Sequence, residues 1–299
     1  MRNYTSFRDT SLTEVDNLIS KTLSGKISSK KIKLKLQRLY VQFMMQYDPS
    51  FEYTETINCF IGVTQLLKGD CYPQEVIWDD DSVYQFISEV QKYQDNYCLS
   101  KWKFNLQKTK NMASVKEYLT QLTNHYARLL FVRLDLHYRQ DSNISISKFA
   151  GDIKSLCERL SNKKGCFKGL EGFAWALEHG GKTDGFHCHL LLIYNGAKRN
   201  NGWYLAKEAG MKWQEITEGY GTYFSCHDPR RLQDYQRQGR LGVGMIHRND
   251  EEAVANAIRT ATYLAYTTKY DQRLKVKIPN MRTFGHGSYR SSRRRGLIQ

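Results

Sequence analysis

The order of hydrophobic and polar positions divides the chain into a helical first part and a mixed second part. Between residues 29 and 40, apolar and basic positions interleave. The run Asp79, Asp80 and Asp81 places carboxylates where a helix would begin, which is where they stabilise one. These features predict a helical accessory region over residues 1–120.

From residue 128 the pattern alternates, as expected for a strand with one buried face. The apolar face carries Val132, Leu134 and Leu136, and the polar face carries Arg133, Asp135 and His137. Further strands are predicted over residues 172–178, 187–194 and 241–247, and helices over 145–160, 202–216 and 251–270. This order predicts an α+β fold, a ferredoxin-like (split βαβ, RRM-like) antiparallel sheet. We expect helices on one side of the sheet and a free face that carries the functional site.

Composition and charge narrow the list of partners. A formal net charge of +15 favours a polyanion such as nucleic acid. No apolar run approaches the ~18 residues that a membrane helix needs, and no signal-peptide pattern is present, so we expect a cytoplasmic protein with no membrane partner. The seven cysteines are scattered without a C-x-x-C pair, which excludes a zinc ribbon and a regular disulfide framework.

Two histidines interrupt the start of an apolar strand. His187 and His189 are two residues apart, so both imidazoles project from the same face. The glycine-rich segment 180–185 predicts a hairpin, and a register that sets Glu178 opposite His187 would add a carboxylate. A single histidine here would be typical of a buried core. Two imidazoles and a carboxylate instead predict an open site for a divalent metal, Mg²⁺ or Mn²⁺ above all, with Co²⁺ and Zn²⁺ also compatible.

The last predicted helix separates apolar residues from tyrosines. The spacing from Asn249 to Glu252 is that of a capping box. One stripe of the helix carries Val254, Ala257, Ile258, Ala261, Leu264 and Ala265, and the opposite stripe carries Asn256, Arg259, Tyr263, Tyr266 and Tyr270. Such tyrosines are often only surface residues. Beside a metal that polarises a phosphate ester, however, a phenol becomes an effective nucleophile.

Several of these motifs resemble those of one enzyme superfamily. The segment Gly185–Leu190 resembles the His-hydrophobe-His motif of HUH endonucleases, with Cys188 in the hydrophobic position. The segment 131–138 resembles the first replication-initiator motif, and Thr262–Tyr266 resembles the tyrosine motif. Together with residues 282–288, their order is similar to that of inovirus-type replication proteins and their prophage relatives. The resemblance covers roughly residues 125–290.

The resemblance implies a metal-dependent nick in single-stranded DNA at a replication origin, with covalent attachment of the enzyme to the 5′ phosphate. By position it implies that Glu178, His187 and His189 hold the metal and that Tyr263 attacks. A host replication helicase is a further candidate partner, and the implied location is the cytoplasm of a bacterial host. The implied division is an accessory region (1–120), an HUH endonuclease domain (121–272) and a basic C-terminal tail (273–299).

One departure from the family pattern leaves the nucleophile open. The family has a lysine three residues after the tyrosine, where this chain has Tyr266. Pairing Tyr266 with Lys269 as the Tyr-x-x-Lys unit would make Tyr266 the nucleophile instead. Tyr263 lies nearer the middle of the polar stripe and is favoured, and two tyrosines that act in turn fit as well.

Two other functions fit the same residues. A nickase of plasmid mobilisation or transposition would use the same chemistry. A DNA-binding regulator that has lost catalysis is favoured by Tyr266 in place of lysine. The intact Glu178, His187 and His189 set opposes that hypothesis, since a protein that only binds DNA does not need paired imidazoles.

Overall fold

Helices make up most of the first part of the chain. The computed structural model describes residues 9–69, 71–180, 185–265 and 270–289. The first elements are α1 (Asp9–Leu23), α2 (Ser29–Met44), β1 (Glu52–Tyr53), α3 (Glu55–Lys68), α4 (Asp80–Gln91) and α5 (Gln94–His125). The acidic run starts α4 as predicted, because the Asp79 side chain accepts a hydrogen bond from the Ser82 N–H at 2.8 Å.

The rest of the described chain forms an antiparallel sheet with its helices. Its elements are β2 (Arg128–Tyr138), α6 (Ile146–Ser161), β3 (Leu170–His179), β4 (Phe186–Asn195), α7 (Gly202–Ile216), β5 (Gly221–Ser225), α8 (Pro229–Arg237), β6 (Gly244–His247), α9 (Glu251–Ala265), β7 (Val276–Lys277) and β8 (Phe284–His286). The α+β class is therefore confirmed. The strand predicted over 241–247 begins only at Gly244, and β5, α8, β7 and β8 are additional to the prediction.

The strand order places β2 and β4 at the centre of the main sheet. The order is β5-β2-β4-β3-β8, and every pairing is antiparallel. The strand β6 pairs with residues 128–131 of β2, beside the segment 134–138 that pairs with β5. From β2 to β5 the chain order is strand, helix, strand, strand, helix, strand.

One face of the sheet packs against α6 and α7. The apolar positions predicted for β2, Val132, Leu134 and Leu136, are all buried there. They belong to the same core as Phe149 of α6 and Trp213 of α7. The alternation in β2 therefore marks a real buried face.

The expectation of an uncovered second face is wrong. Phe131, Leu191 and Ile193 on that face are fully buried, in a core shared with α5 and α9. From α5 this core takes Val115, Tyr118, Leu119 and Leu122, and from α9 it takes Ala257, Ala261, Leu264 and Ala265. The reason lies in β4, whose apolar residues 190–194 run without alternation and so require cover on both faces. The helix α5 also runs past residue 120, the predicted end of the accessory region.

The segment after α9 joins the two parts of the chain. Strand β7 pairs with β1, with Val276 opposite Tyr53, and β8 pairs with β3, with Phe284 opposite Ala176. Part of the predicted basic tail is thus built into two sheets. Its residues 290–299, which include Arg290 and Arg293 to Arg295, lie outside the described residues.

A buried ion pair spans this junction. The Arg273 guanidinium donates to Asp16 Oδ1 of α1 at 2.8 Å and to the Tyr270 carbonyl oxygen at 2.7 Å. The Thr56 hydroxyl of α3 also donates to Asp16. Both charged side chains are more than nine-tenths buried, so loss of either partner would leave an uncompensated charge.

Among the described helices, none has the length and apolar character needed to cross a bilayer.

Packing of α5 on the sheet gives a first prediction. Leu119 is fully buried between α5 and the sheet, so Leu119→Ala should destabilise the fold by about 2–5 kcal/mol. Leu106→Ala is a matched control on the same helix, where the side chain is 40% exposed and the change should stay within about 0.5 kcal/mol. Urea unfolding followed by circular dichroism measures both. Equal effects would mean that α5 does not pack on this face in solution.

Candidate metal centre

Strand pairing brings the predicted ligands together. In the β3–β4 hairpin Glu178 lies opposite His187, and Ala176 lies opposite His189. Residues directly opposite each other in an antiparallel pair project to the same face. The register that the sequence required for a three-ligand site is therefore the register that forms.

The ligand atoms converge on one point. Glu178 Oε2 lies 3.2 Å from His187 Nε2 and 3.4 Å from His189 Nε2. One ligand atom from each residue can be chosen so that all three lie within 4.8 Å of one another. A cation bound at ~2.0–2.2 Å holds its ligands ~3.0–3.6 Å apart, so the two contacts to the carboxylate already have the spacing of a coordination sphere. The residues present fit a divalent metal.

Both imidazoles are oriented by a second hydrogen bond. His189 Nδ1 donates to Asp135 Oδ1 at 2.6 Å, and His187 Nδ1 donates to the Gly185 carbonyl oxygen at 3.2 Å. A hydrogen bond from one ring nitrogen sets the direction of the other and raises its basicity as a ligand. Each ring therefore presents Nε2 to the common point.

Asp135 is a site residue that sequence reasoning did not identify. The alternation in β2 had placed it on the polar face with His137, and the structure puts it directly opposite His189. His137 stacks on His187, with ring centroids 5.3 Å apart. The missing information was the pairing of β2 with β4, because these strands lie about fifty residues apart in the chain.

The electrostatics of the cluster favour ionised carboxylates. Burial alone would raise the pKa of Glu178, but hydrogen bonds from His187 and His189 outweigh burial and hold that pKa at about 2. Burial likewise works against a charged His189, yet Asp135 and Glu178 raise its pKa to about 9. A proton on His189 thus occupies the place that a cation would take, and metal binding must release it.

Tyr263 of α9 lies near Arg133, which in turn contacts Asp135 of the cluster. As predicted, the apolar stripe of α9 is buried against the sheet at Ala257, Ala261 and Leu264, while Tyr263 is 54% exposed. The Arg133 guanidinium carbon lies 6.0 Å from the centroid of the Tyr263 ring. Arg133 in turn lies 3.5 Å from Asp135 Oδ1, so one cation connects the tyrosine with the residue that orients His189.

Two details of α9 differ from the prediction. The cap is Asp250, whose carboxylate accepts from the Ala253 N–H at 2.9 Å, and not Asn249. Asn256, predicted on the polar stripe, is buried and donates to the Gly239 carbonyl oxygen at 3.0 Å. Both differences depend on a single hydrogen bond, and the spacing of hydrophobic residues gives no information about such bonds.

The alternative nucleophile lies outside the described part of the chain. Tyr266 and Lys269 fall in the segment 266–269, so their relation to the metal centre stays a prediction from sequence.

The chain was compared with protein-family models, with curated proteins and with solved structures. None matches. The assignment of a function therefore depends on the chemistry of the site.

Metal binding can be measured directly. At ~100 times its dissociation constant, Mn²⁺ should stabilise the unmodified protein by about 2.7 kcal/mol and raise its melting temperature by roughly 5 °C or more. The double variant His187→Ala, His189→Ala should show no such shift. Each variant is compared with and without Mn²⁺, so a lower starting stability does not matter. His247→Ala, an exposed histidine in β6, is the control and should keep the shift. A full shift in the double variant would exclude these ligands.

The role of Asp135 can be tested separately. Asp135→Asn weakens the acceptor for the His189 Nδ1–H, and the affinity for Mn²⁺ should fall about 10- to 100-fold. Asp141→Asn removes the same charge from an exposed position near the end of β2 and should leave the affinity unchanged. Titration calorimetry gives both constants. Equal losses would indicate a general effect of charge and not an oriented ligand.

Proposed function

We propose that the protein is a metal-dependent nickase and strand transferase for single-stranded DNA. In this proposal Tyr263 forms a 5′-phosphotyrosine intermediate, and the reaction initiates rolling-circle replication of a phage or phage-like element. The observation that carries the proposal is the convergence of His187 Nε2, His189 Nε2 and Glu178 Oε2, with both imidazoles held by second hydrogen bonds. A protein that only binds DNA has no use for that arrangement.

The arrangement of strands supports the same proposal. From β2 to β5 the chain follows the strand–helix–strand–strand–helix–strand order of a split βαβ, ferredoxin-like fold. This is the fold that the resemblance to HUH endonucleases implies, with the histidine pair on one of its strands. Here the pair is on β4, between β2 and β3.

In the proposed reaction the metal and Tyr263 have different roles. A bound divalent cation would polarise the scissile phosphate and stabilise the charge that develops on it. The Tyr263 Oη attacks phosphorus, and the bond from phosphorus to the 3′ oxygen breaks. The phenol releases its proton to solvent, and the 3′ oxygen takes one up as the free hydroxyl. The phosphotyrosine ester retains the energy of the broken bond, so a 3′ hydroxyl can later reverse the reaction.

Arg133 is placed to assist this step. Its side chain is largely buried, it lies between Tyr263 and Asp135, and its Nε has no hydrogen-bond partner among the described residues. A buried guanidinium with a donor to spare suits a phosphate oxygen. In the proposed reaction Arg133 holds the phosphate against the phenol while Asp135 keeps His189 in position.

The nucleophile can be assigned by trapping. The unmodified protein, incubated with Mn²⁺ and an end-labelled library of random single-stranded oligonucleotides, should form an adduct that survives denaturant. Tyr263→Phe removes the nucleophilic oxygen with almost no change in volume and should abolish the adduct. Tyr266→Phe should slow its formation without abolishing it.

Peptide mapping of the adduct completes this test. DNA attached to Tyr266 in the unmodified protein would move the nucleophile to that residue and favour the pairing with Lys269. If the unmodified protein binds the library but forms no adduct with any divalent metal, the protein is a DNA-binding regulator and not a nickase. Tyr235→Phe, a half-exposed tyrosine in α8, is the control for loss of a phenol elsewhere.

A further inference from the structure

An aromatic side chain lies in the same row of the sheet as the metal centre. Phe224 of β5 is directly opposite Asp135, which is directly opposite His189. Opposed residues share a face, so Phe224 projects on the side of the sheet that carries the metal ligands. Two strand spacings of ~4.8 Å place it about 10 Å from His189.

The Phe224 ring is already covered by a stacked cation. The Arg231 guanidinium carbon lies 4.3 Å from the centroid of the ring, while Phe224 is only half-buried and Arg231 is exposed. A guanidinium in this position has one face on the aromatic ring and another face toward solvent. Phe224 and Arg231 therefore form a flat, positively charged surface at the end of the row that contains Asp135 and His189.

The helix that carries Arg231 is held at its two ends. Among the described side chains of α8 none is buried, so hydrophobic packing does not hold it in place. Before it, the Cys226 N–H donates to the Arg133 carbonyl oxygen at 3.1 Å, and after it the Gly239 carbonyl oxygen accepts from Asn256 of α9. The segment thus runs from the strand beside the metal centre to the helix that carries Tyr263.

We propose that Phe224 and Arg231 bind one base of single-stranded DNA by stacking, next to the phosphate at the metal centre. This inference rests on the proposed function, from which it takes its substrate. Bases stack on aromatic rings and on guanidinium planes, and every base has a face suited to this. The donors at the edge of the Arg231 guanidinium remain available to an adjacent phosphate. The arginines of this segment, Arg230, Arg231, Arg237 and Arg240, add the positive charge that a DNA strand requires.

Stacking can be separated from binding to phosphates. The probes are a fluorescent oligothymidine of about 20 nucleotides, longer than the ~4–16 nucleotides that a typical single-strand groove covers, and an abasic strand of equal length. Binding is measured in the Tyr263→Phe background, which prevents covalent capture. Phe224→Leu should weaken binding of oligothymidine roughly 5- to 150-fold, the equivalent of the ~1–3 kcal/mol that stacking of one base contributes. Binding of the abasic strand should stay unchanged.

Two further variants control for folding and for position. Phe224→Tyr keeps the ring and should bind oligothymidine as the Tyr263→Phe parent does. Trp203→Ala removes an aromatic ring that is 54% exposed and has Lys207 Nζ 5.7 Å from its centroid. Trp203 is on α7, whose buried residues Leu205, Ala206 and Ala209 belong to the core on the other face of the sheet, so this variant should bind both strands normally.

The outcomes distinguish this inference from the proposed function. Equal loss of affinity for both strands in Phe224→Leu, or no loss for either, would overturn the stacking site while the nickase proposal stands on its own adduct test. If the Tyr263→Phe parent binds neither strand, the substrate assigned under the proposed function is wrong, and the stacking site fails with it.

Discussion

The pairing of Glu178 with His187 across the β3–β4 hairpin is the contact on which the site depends. A shift of this register by one residue would turn every side chain of one strand to the opposite face. The carboxylate would then enter the apolar core of α6 and α7, and the imidazoles would lose their partner. Register is strongly specified here because a carboxylate buried without a partner would be strongly destabilising.

Pairing of carboxylates with imidazoles explains how the polar side chains of the metal centre can be buried. Glu178 and His187 are each 6% exposed, and isolated charges at such depth would be strongly destabilising. Asp135, His189, Glu178 and His187 are joined by successive contacts of hydrogen-bond or ion-pair length, so each carboxylate has an imidazole as its partner. Arg133 extends this network to Tyr263. The same network directs the ligand atoms toward one point, so little rearrangement is needed to bind a cation.

Local structure and the three metal ligands could be predicted from the sequence. Contacts between residues that are far apart in the chain could not. Spacing of two residues is enough to place His187 and His189 together, and a hairpin with a short turn brings Glu178 to them. Asp135 was missed because its partner His189 is on a strand distant in sequence, and periodicity carries no information about which strands pair. Phe224 lies on β5, a strand that the sequence did not predict, so its alignment with Asp135 could not be foreseen. The unbroken apolar run at 190–194 indicates a strand that is buried on both faces. The expectation of a free face relied on the alternating pattern of β2 and did not take this run into account.

The buried pair between Asp16 and Arg273, with β1 against β7, has a consequence for synthesis of the protein. The first helices leave the ribosome long before their partners in the segment 273–286 exist. Until then Asp16 lacks its cation, and β3, the strand that carries Glu178, has an open edge where β8 later pairs. Domains usually fold from the N-terminus as they emerge. In this chain α1 and the segment 273–286 are completed together, so the metal centre acquires its final framework only after that segment has been synthesised.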